Sequence, residues 1–162
     1  MTAATVPVWQ RHIGDFASLL HLAPPTVRPN DTLRDVVTAL SSDPHARSVF
    51  VTDAEDHLLG AIAEMRLDAD LVKLVLPQPL WPALGELDTR DLMRVAKREG
   101  ETASDLMTRC LDARAEAPLR DVVIAMIRGG HTVTALVDDQ HRLLGYLSLF
   151  EILADLLRQT AP

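Results

Sequence analysis

The pentapeptide Leu33-Arg34-Asp35-Val36-Val37 recurs as Leu119-Arg120-Asp121-Val122-Val123, 86 residues further along the chain. Each copy opens the same apolar spacing: Leu33, Val36, Val37 and Leu40 in the first, Leu119, Val122, Val123 and Met126 in the second. Positions i, i+3, i+4 and i+7 make one stripe of an amphipathic helix, and Arg34, Asp35, Arg120 and Asp121 fall off it. The match continues outwards. Ala17-Ser18 stands to Leu33 as Ala103-Ser104 stands to Leu119, and Arg28 corresponds to Arg114. Downstream, Asp53 and Leu58-Leu59-Gly60 correspond to Asp138 and Leu143-Leu144-Gly145, now 85 residues apart. One residue is therefore missing from the second copy near Gly129-Gly130, where a surface turn tolerates a change of length. Two copies are too few for a solenoid. They suit a pair that shares one core.

At 162 residues the chain is long enough for such a core, and 48% hydrophobic residues fit a folded globule rather than a disordered chain. Aromatics reach only 4%, so Leu, Val, Ala and Ile must fill the interior. The formal net charge of −7 argues against a nucleic-acid backbone as partner, because such proteins carry a clustered basic face. No apolar run approaches the roughly 20 residues needed to span a bilayer, and Met1–Ser18 does not read as a signal peptide. Cys110 is the only cysteine, so no internal disulfide can form. A reducing, cytoplasmic compartment is the expectation.

Residue patterns predict the elements in order. Gln10–Leu20 reads as a short helix stopped by Pro24-Pro25, and Thr26–Arg28 as a short strand. Thr32-x-x-Asp35 is a capping box that opens helix Leu33–Ser42. Ser48–Thr52 and Leu58–Ala63 are strands joined by the polar turn Asp53–His57, with Gly60 marking a close backbone approach. Met65–Leu76 reads as a helix. The second copy gives a short extended piece in Thr108–Ala113, helix Leu119–Arg128 behind Pro118, strands Thr132–Val137 and Leu143–Ser148, and helix Leu149–Arg158. The expected class is α/β in the α+β sense, a tandem β-α-β-β-α repeat. Its divisions are an N-terminal segment 1–16, repeat 1 over 17–76, an inserted linker over 77–102, repeat 2 over 103–158 and a tail 159–162. The insert holds Trp81 and a charged, helix-like Thr89–Arg98, and it has no counterpart in either repeat.

This order, with Ser104-Asp105-Leu106-Met107-Thr108 and Val137-Asp138…Leu143-Leu144-Gly145-Tyr146-Leu147-Ser148, resembles a cystathionine-β-synthase (CBS) domain pair. The resemblance implies repeats packed through their sheets with pseudo-twofold symmetry, two clefts, and assembly as a homodimer. It also implies an adenosine-type regulatory ligand (AMP, ADP, ATP or S-adenosylmethionine), with no required cofactor, acting on an attached or unidentified partner protein.

The family's ligand motif is a glycine, two mostly apolar residues, Thr or Ser, two more residues and Asp. Its carboxylate accepts the ribose hydroxyls, and its small hydroxyl serves ribose or phosphate. In repeat 2 the frame falls on Gly145 to Glu151, giving Ser148 the hydroxyl and Glu151 a carboxylate one methylene longer than Asp. The resemblance places the base near Thr108, Arg109, Cys110 and Leu111, and phosphate near His131 and Thr132. In repeat 1 the frame gives Ala63 and Arg66, with neither group, so an asymmetric pair is expected. Arg47 and Arg66 would favour an anion there instead. Each residue also has a plain reading. Ser148 and Glu151 also fit a capping box on the last helix, His131 fits a loop, and Cys110 fits a small buried hydrophobe. The histidines show no metal-ligand spacing, and no nucleophile–base pair, P-loop or dinucleotide fingerprint marks an enzyme. The expected function is a regulatory ligand-sensing module, with a ligand-free dimerisation or interaction scaffold as the alternative.

Overall fold

Thr32 begins the first helix as its spacing predicts. In the computed structural model, which describes residues 7, 10–43, 45–67, 73–77, 79–80 and 89–160, Asp35 N–H donates to Thr32 Oγ1 at 3.3 Å. Asp35 Oδ2 accepts from Thr32 N–H at 2.9 Å. Helix α1 (Leu33–Ser41) follows, burying Leu33 and Val36. Ahead of it lies strand β1 (Thr26–Val27), and behind it β2 (Ser48–Thr52) and β3 (Leu58–Ala63). They form a sheet in the order β1-β2-β3, with β1 parallel to β2 and Thr26 opposite Phe50.

The second repeat builds the same unit. Strand β4 (Asp112–Ala113) leads into a helix over Leu119–Gly129, then β5 (Val133–Val137), β6 (Leu143–Ser148) and a final helix over Leu149–Thr160. The sheet order is β4-β5-β6, with β4 parallel and β6 antiparallel to β5. Two further helices, Thr89–Arg98 and the short Ala103–Leu106, precede β4. In chain order the helices after α1 are α2 (Thr89–Arg98), α3 (Ala103–Leu106), α4 (Leu119–Gly129) and α5 (Leu149–Thr160). Every residue of β2 and of β5 is buried, as central strands covered on both faces require.

The element order is therefore that of the expected α+β repeat pair, and β2, β3, β6 and α2 coincide with the predicted spans. Two spans differ. Ile13–Leu19 is a 3-10 turn with non-helical φ/ψ at Phe16, not an α-helix. Ile13 and Phe16 are both buried, and a spacing of three superposes side chains in a 3-10 turn. After β3 the chain makes a 3-10 turn at Glu64–Arg66, and Leu67 leaves it at ψ 79. Lys73–Val75 is helical, while residues 68–72 of the predicted Met65–Leu76 helix, like Met1–Val6 and Trp81, lie outside the described residues.

The chain clusters into two compact units that divide it differently from the repeats. One comprises Met1–Pro24, Thr52–Leu59 and Arg109–Pro162, and the other Pro25–Val51 and Gly60–Thr108. In the first, Ile13 and Phe16 share a core with Leu119, Met126, Leu147 and Ile152. In the second, Ala103 and Leu106 share a core with Val36, Val49, Val51 and Ile62. The segment ahead of repeat 1 thus completes the core of repeat 2, and the start of repeat 2 completes that of repeat 1.

Two glycines record how. In the first unit His21 pairs with Tyr146 on β6, N–H to carbonyl at 3.0 and 3.1 Å in the two directions. A Cβ on Gly145 would come within 2.5 Å of the His21 carbonyl oxygen. In the second unit Thr108 pairs with Ala61 on β3 at 3.0 and 2.9 Å, and a Cβ on Gly60 would come within 2.7 Å of the Thr108 carbonyl oxygen. Gly60 does admit a close backbone approach, and Gly145 does the same in the other copy.

Candidate functional site

Strand β6 and helix α5 hold the residues that the sequence singles out. Ser148 closes β6 opposite Val133, and Leu149 N–H then donates to the Thr132 carbonyl at 2.9 Å. That bond ties the start of α5 to the residue before β5. The same joint exists in repeat 1, where Glu64 N–H donates to the Arg47 carbonyl at 2.9 Å. Ser148 is half-buried, and among the described residues its hydroxyl makes no hydrogen bond. The capping box that its spacing with Glu151 allows is not formed.

Glu151 lies in the first turn of α5. Its carboxylate is 41% exposed and is engaged by His21, whose Nε2 lies 2.9 Å from Oε2 and 3.2 Å from Oε1. The His21 ring stacks on buried Tyr146, centroids 4.5 Å apart and planes at 10°. His21 is the residue that the sequence reading missed. It stands 130 positions from Glu151, near the start of the first repeat, and no spacing or motif links the two.

The flanking residues take these places. The Leu111 carbonyl accepts from Ala135 N–H at 2.9 Å and from the Thr134 hydroxyl at 3.3 Å, which fixes the approach to β4 beside β5. Cys110 is half-buried, and burial pushes its thiol up to about 11. Burial thus favours the un-ionised thiol over the thiolate at neutral pH. His131 follows Gly130, which has φ +66, and donates its N–H to the Met126 carbonyl at 2.8 Å. With Gly130 N–H on the Ile127 carbonyl this is a Schellman ending for α4. Thr132 is exposed at the mouth of the same turn. The first unit therefore carries Cys110, Leu111, His131, Thr132, Ser148 and Glu151, whereas Thr108 falls in the second unit with its backbone on Ala61.

Repeat 1 offers different chemistry. A depression of about 380 Å³ is lined by Val37, Leu40, Asp43, Ala46, Arg47 and Glu64. Arg47 Nη1 is bound to Glu64 Oε2 at 2.9 Å. The guanidinium expected to favour an anion is thus already paired with a carboxylate. Arg66 is exposed beyond it on the 3-10 turn.

Among the described residues, Asp53, Glu55 and His57 could bring ligand atoms together for a metal, but they form a turn. Asp53 Oδ1 accepts from Glu55 and His57 N–H, and Oδ2 faces His57 Nδ1 at 2.8 Å. Asp138 repeats this, with Oδ1 on Gln140 and Arg142 N–H and Oδ2 2.9 Å from Arg142 Nε. These carboxylates shape hairpins. No helix among the described residues is long and apolar enough to cross a membrane.

The CBS domain model matches residues 16–67 and 103–158. No curated protein sequence matches the chain. Among solved structures, a CBS domain-containing protein from Thermotoga maritima is 22% identical at a TM-score of 0.66, covering 92% of this chain and 96% of its own. CBSX2, from Arabidopsis thaliana, solved in complex with AMP, is 22% identical at a TM-score of 0.63, covering 93% and 99%. The CBS domain pair of protein MJ0100, solved with 5′-methylthioadenosine and S-adenosyl-L-methionine, is 18% identical at a TM-score of 0.63, covering 92% and 98%. These likenesses concern the fold. With both repeats matched over more than half of its length, the chain belongs to the CBS domain family.

Proposed function

We propose that this chain is a regulatory ligand-sensing module that takes an adenosine-type nucleotide beside β6 of repeat 2 and controls a partner protein. The observation that carries this reading is the hydroxyl of Ser148 one helical turn from the partly exposed carboxylate of Glu151. A hydroxyl and a carboxylate at that spacing suit a ribose, whose vicinal hydroxyls donate to carboxylate oxygens. Cys110, Leu111, His131 and Thr132 flank them in the same unit. At the equivalent positions, repeat 1 has Ala63 and Arg66, so the reading assigns the nucleotide to repeat 2 alone. That AMP, 5′-methylthioadenosine and S-adenosyl-L-methionine are bound by proteins of similar fold supports the ligand class. The role is regulatory rather than catalytic, in keeping with the family and with a thiol at Cys110 held protonated by burial.

Thermal unfolding with AMP, ADP, ATP and S-adenosylmethionine tests it. A ligand at a hundred times its Kd stabilises by about 2.7 kcal/mol, a readily measured shift in Tm. The shift should vanish in Ser148→Ala combined with Glu151→Ala. No shift from any of the four at millimolar concentration would overturn the reading.

The second reading is a ligand-free dimerisation scaffold in the cytoplasm. It is favoured by one observation: Phe150 and Leu157, two turns apart on α5, are 67% and 71% exposed. Such a pair on one helix face suits a homodimer contact. Sedimentation of Phe150→Glu against the parent chain distinguishes a dimer from a monomer.

A further inference from the structure

Glu151 is the group on which a sugar diol depends, and another part of the chain already occupies it. His21 Nε2 lies within 3.2 Å of both carboxylate oxygens and so stands in the fork between them. A vicinal diol addresses a carboxylate from that same fork, one hydroxyl to each oxygen. Imidazole and diol therefore compete for one position.

Three independent restraints bring the imidazole there. The His21 backbone is paired in both directions with Tyr146. The absence of a side chain at Gly145 lets it come that close. The ring lies flat on Tyr146. The longer side chain of Glu151 also finds its use here, because it reaches the nitrogen of a ring supported by β6. The ring is 27% exposed, which leaves it solvent to turn into when it gives up the carboxylate.

We propose that His21 is a built-in competitor for the sugar position, capping Glu151 in the empty protein and giving way to the ligand's ribose hydroxyls. This rests on the nucleotide reading above. It makes His21 a specificity-determining residue. The imidazole raises the threshold for every adenosine compound with a free diol, and it leaves ligands without one unaffected.

The test is calorimetric titration of AMP and of 2′,3′-dideoxy-AMP into the full chain and into His21→Phe, which keeps a flat ring on Tyr146 and removes the nitrogen. A partly exposed hydrogen bond nets about 1 kcal/mol, so AMP should bind about fivefold more tightly to His21→Phe. The affinity for the dideoxy compound should be the same in both proteins. Equal or weaker AMP binding by a folded His21→Phe, or an equal gain for the dideoxy compound, overturns the proposal and leaves the nucleotide reading standing. Absence of binding by AMP, ADP, ATP and S-adenosylmethionine alike in both proteins overturns the nucleotide reading, and the competitor falls with it. Should His21→Phe fail to fold, nitrogen NMR of the wild-type imidazoles decides the matter. Addition of AMP should move the His21 Nε2 resonance as the carboxylate departs, and an unmoved resonance with AMP bound overturns the proposal.

Discussion

Gly60 and Gly145 occupy the same position in the two copies and meet the same demand. Each lies on the last strand of its repeat, where a crossing backbone carbonyl comes too near for any side chain. Alanine at either site would have to push a carbonyl oxygen that is itself fixed by pairing to the next strand residue. Overpacking of this kind costs about 1–3 kcal/mol. Gly60→Ala and Gly145→Ala should therefore each lower the urea midpoint by an amount corresponding to that cost, and unchanged midpoints would show that the crossing segments are loosely held. The sequence makes the Gly60 approach visible, because a glycine inside a strand pattern is otherwise unfavourable. What approaches it is not visible. The residues concerned, Thr108 for Gly60 and His21 for Gly145, come from distant segments whose own composition is unremarkable. The same limit hides the partner of Glu151: the hydroxyl–carboxylate spacing of Ser148 and Glu151 is local and can be read, whereas the imidazole that meets Glu151 is set by topology.

Local hydrogen bonding decides the elements, and here the sequence is most legible. Thr32 with Asp35 and Thr102 with Asp105 open helices α1 and α3 by the same exchange of bonds. Asp53 and Asp138 close the two hairpins by another. Each of these carboxyls is held below its ordinary value of 3.8. For Asp35 the first cause is the Thr32 hydroxyl, and for Asp105 the Thr102 N–H. For Asp53 burial works the other way and is outweighed by hydrogen bonds from His57, while for Asp138 the Arg142 N–H leads. A carboxyl that ionises more readily in the folded chain contributes stability that is complete above its unfolded value and is lost as pH falls through the folded one. Tm should accordingly hold steady down to about pH 4 and fall below it. In the double variant Asp53→Asn, Asp138→Asn, the acid decline should be shallower, and a decline as steep as that of the parent would remove these turns from the account. The 3-10 turn Ile13–Leu19 was hidden from pattern reading for a physical reason. Buried Ile13 and Phe16 stand three apart, which suits both an α-helix and a 3-10 turn. The choice falls to packing, since Gly14 N–H donates to the Ala115 carbonyl at 2.8 Å.

At the scale of the whole molecule the repeats and the compact units are different divisions of the chain. The hairpin tips show the repeat symmetry inside one unit: Leu58 N–H donates to the His141 carbonyl and Leu143 N–H to that of Asp56, each at 3.0 Å. Asp56 and His141 both take left-handed φ, 66° and 63°, to turn those carbonyls outwards. The cores show the consequence for folding. Ile13 and Phe16 are each 1% exposed and belong to the core built on Leu119, Met126 and Ile152. Burying two side chains of this size contributes about 3–6 kcal/mol, against a total of about 5–15 kcal/mol for an ordinary domain. A fragment limited to repeat 2, residues 103–160, forfeits that contribution and the strand partner of Tyr146 together. It should show little cooperative unfolding by circular dichroism. A peptide spanning residues 7–24, added in trans, should restore a sigmoidal transition whose midpoint rises with peptide concentration, because the peptide binds only the folded fragment. The same peptide with Phe16→Ala should do so only at much higher concentration, since truncating a buried Phe costs about 3–5 kcal/mol. A fragment that unfolds cooperatively alone, at a midpoint the peptide does not move, would mean that repeat 2 closes its core without the segment ahead of repeat 1.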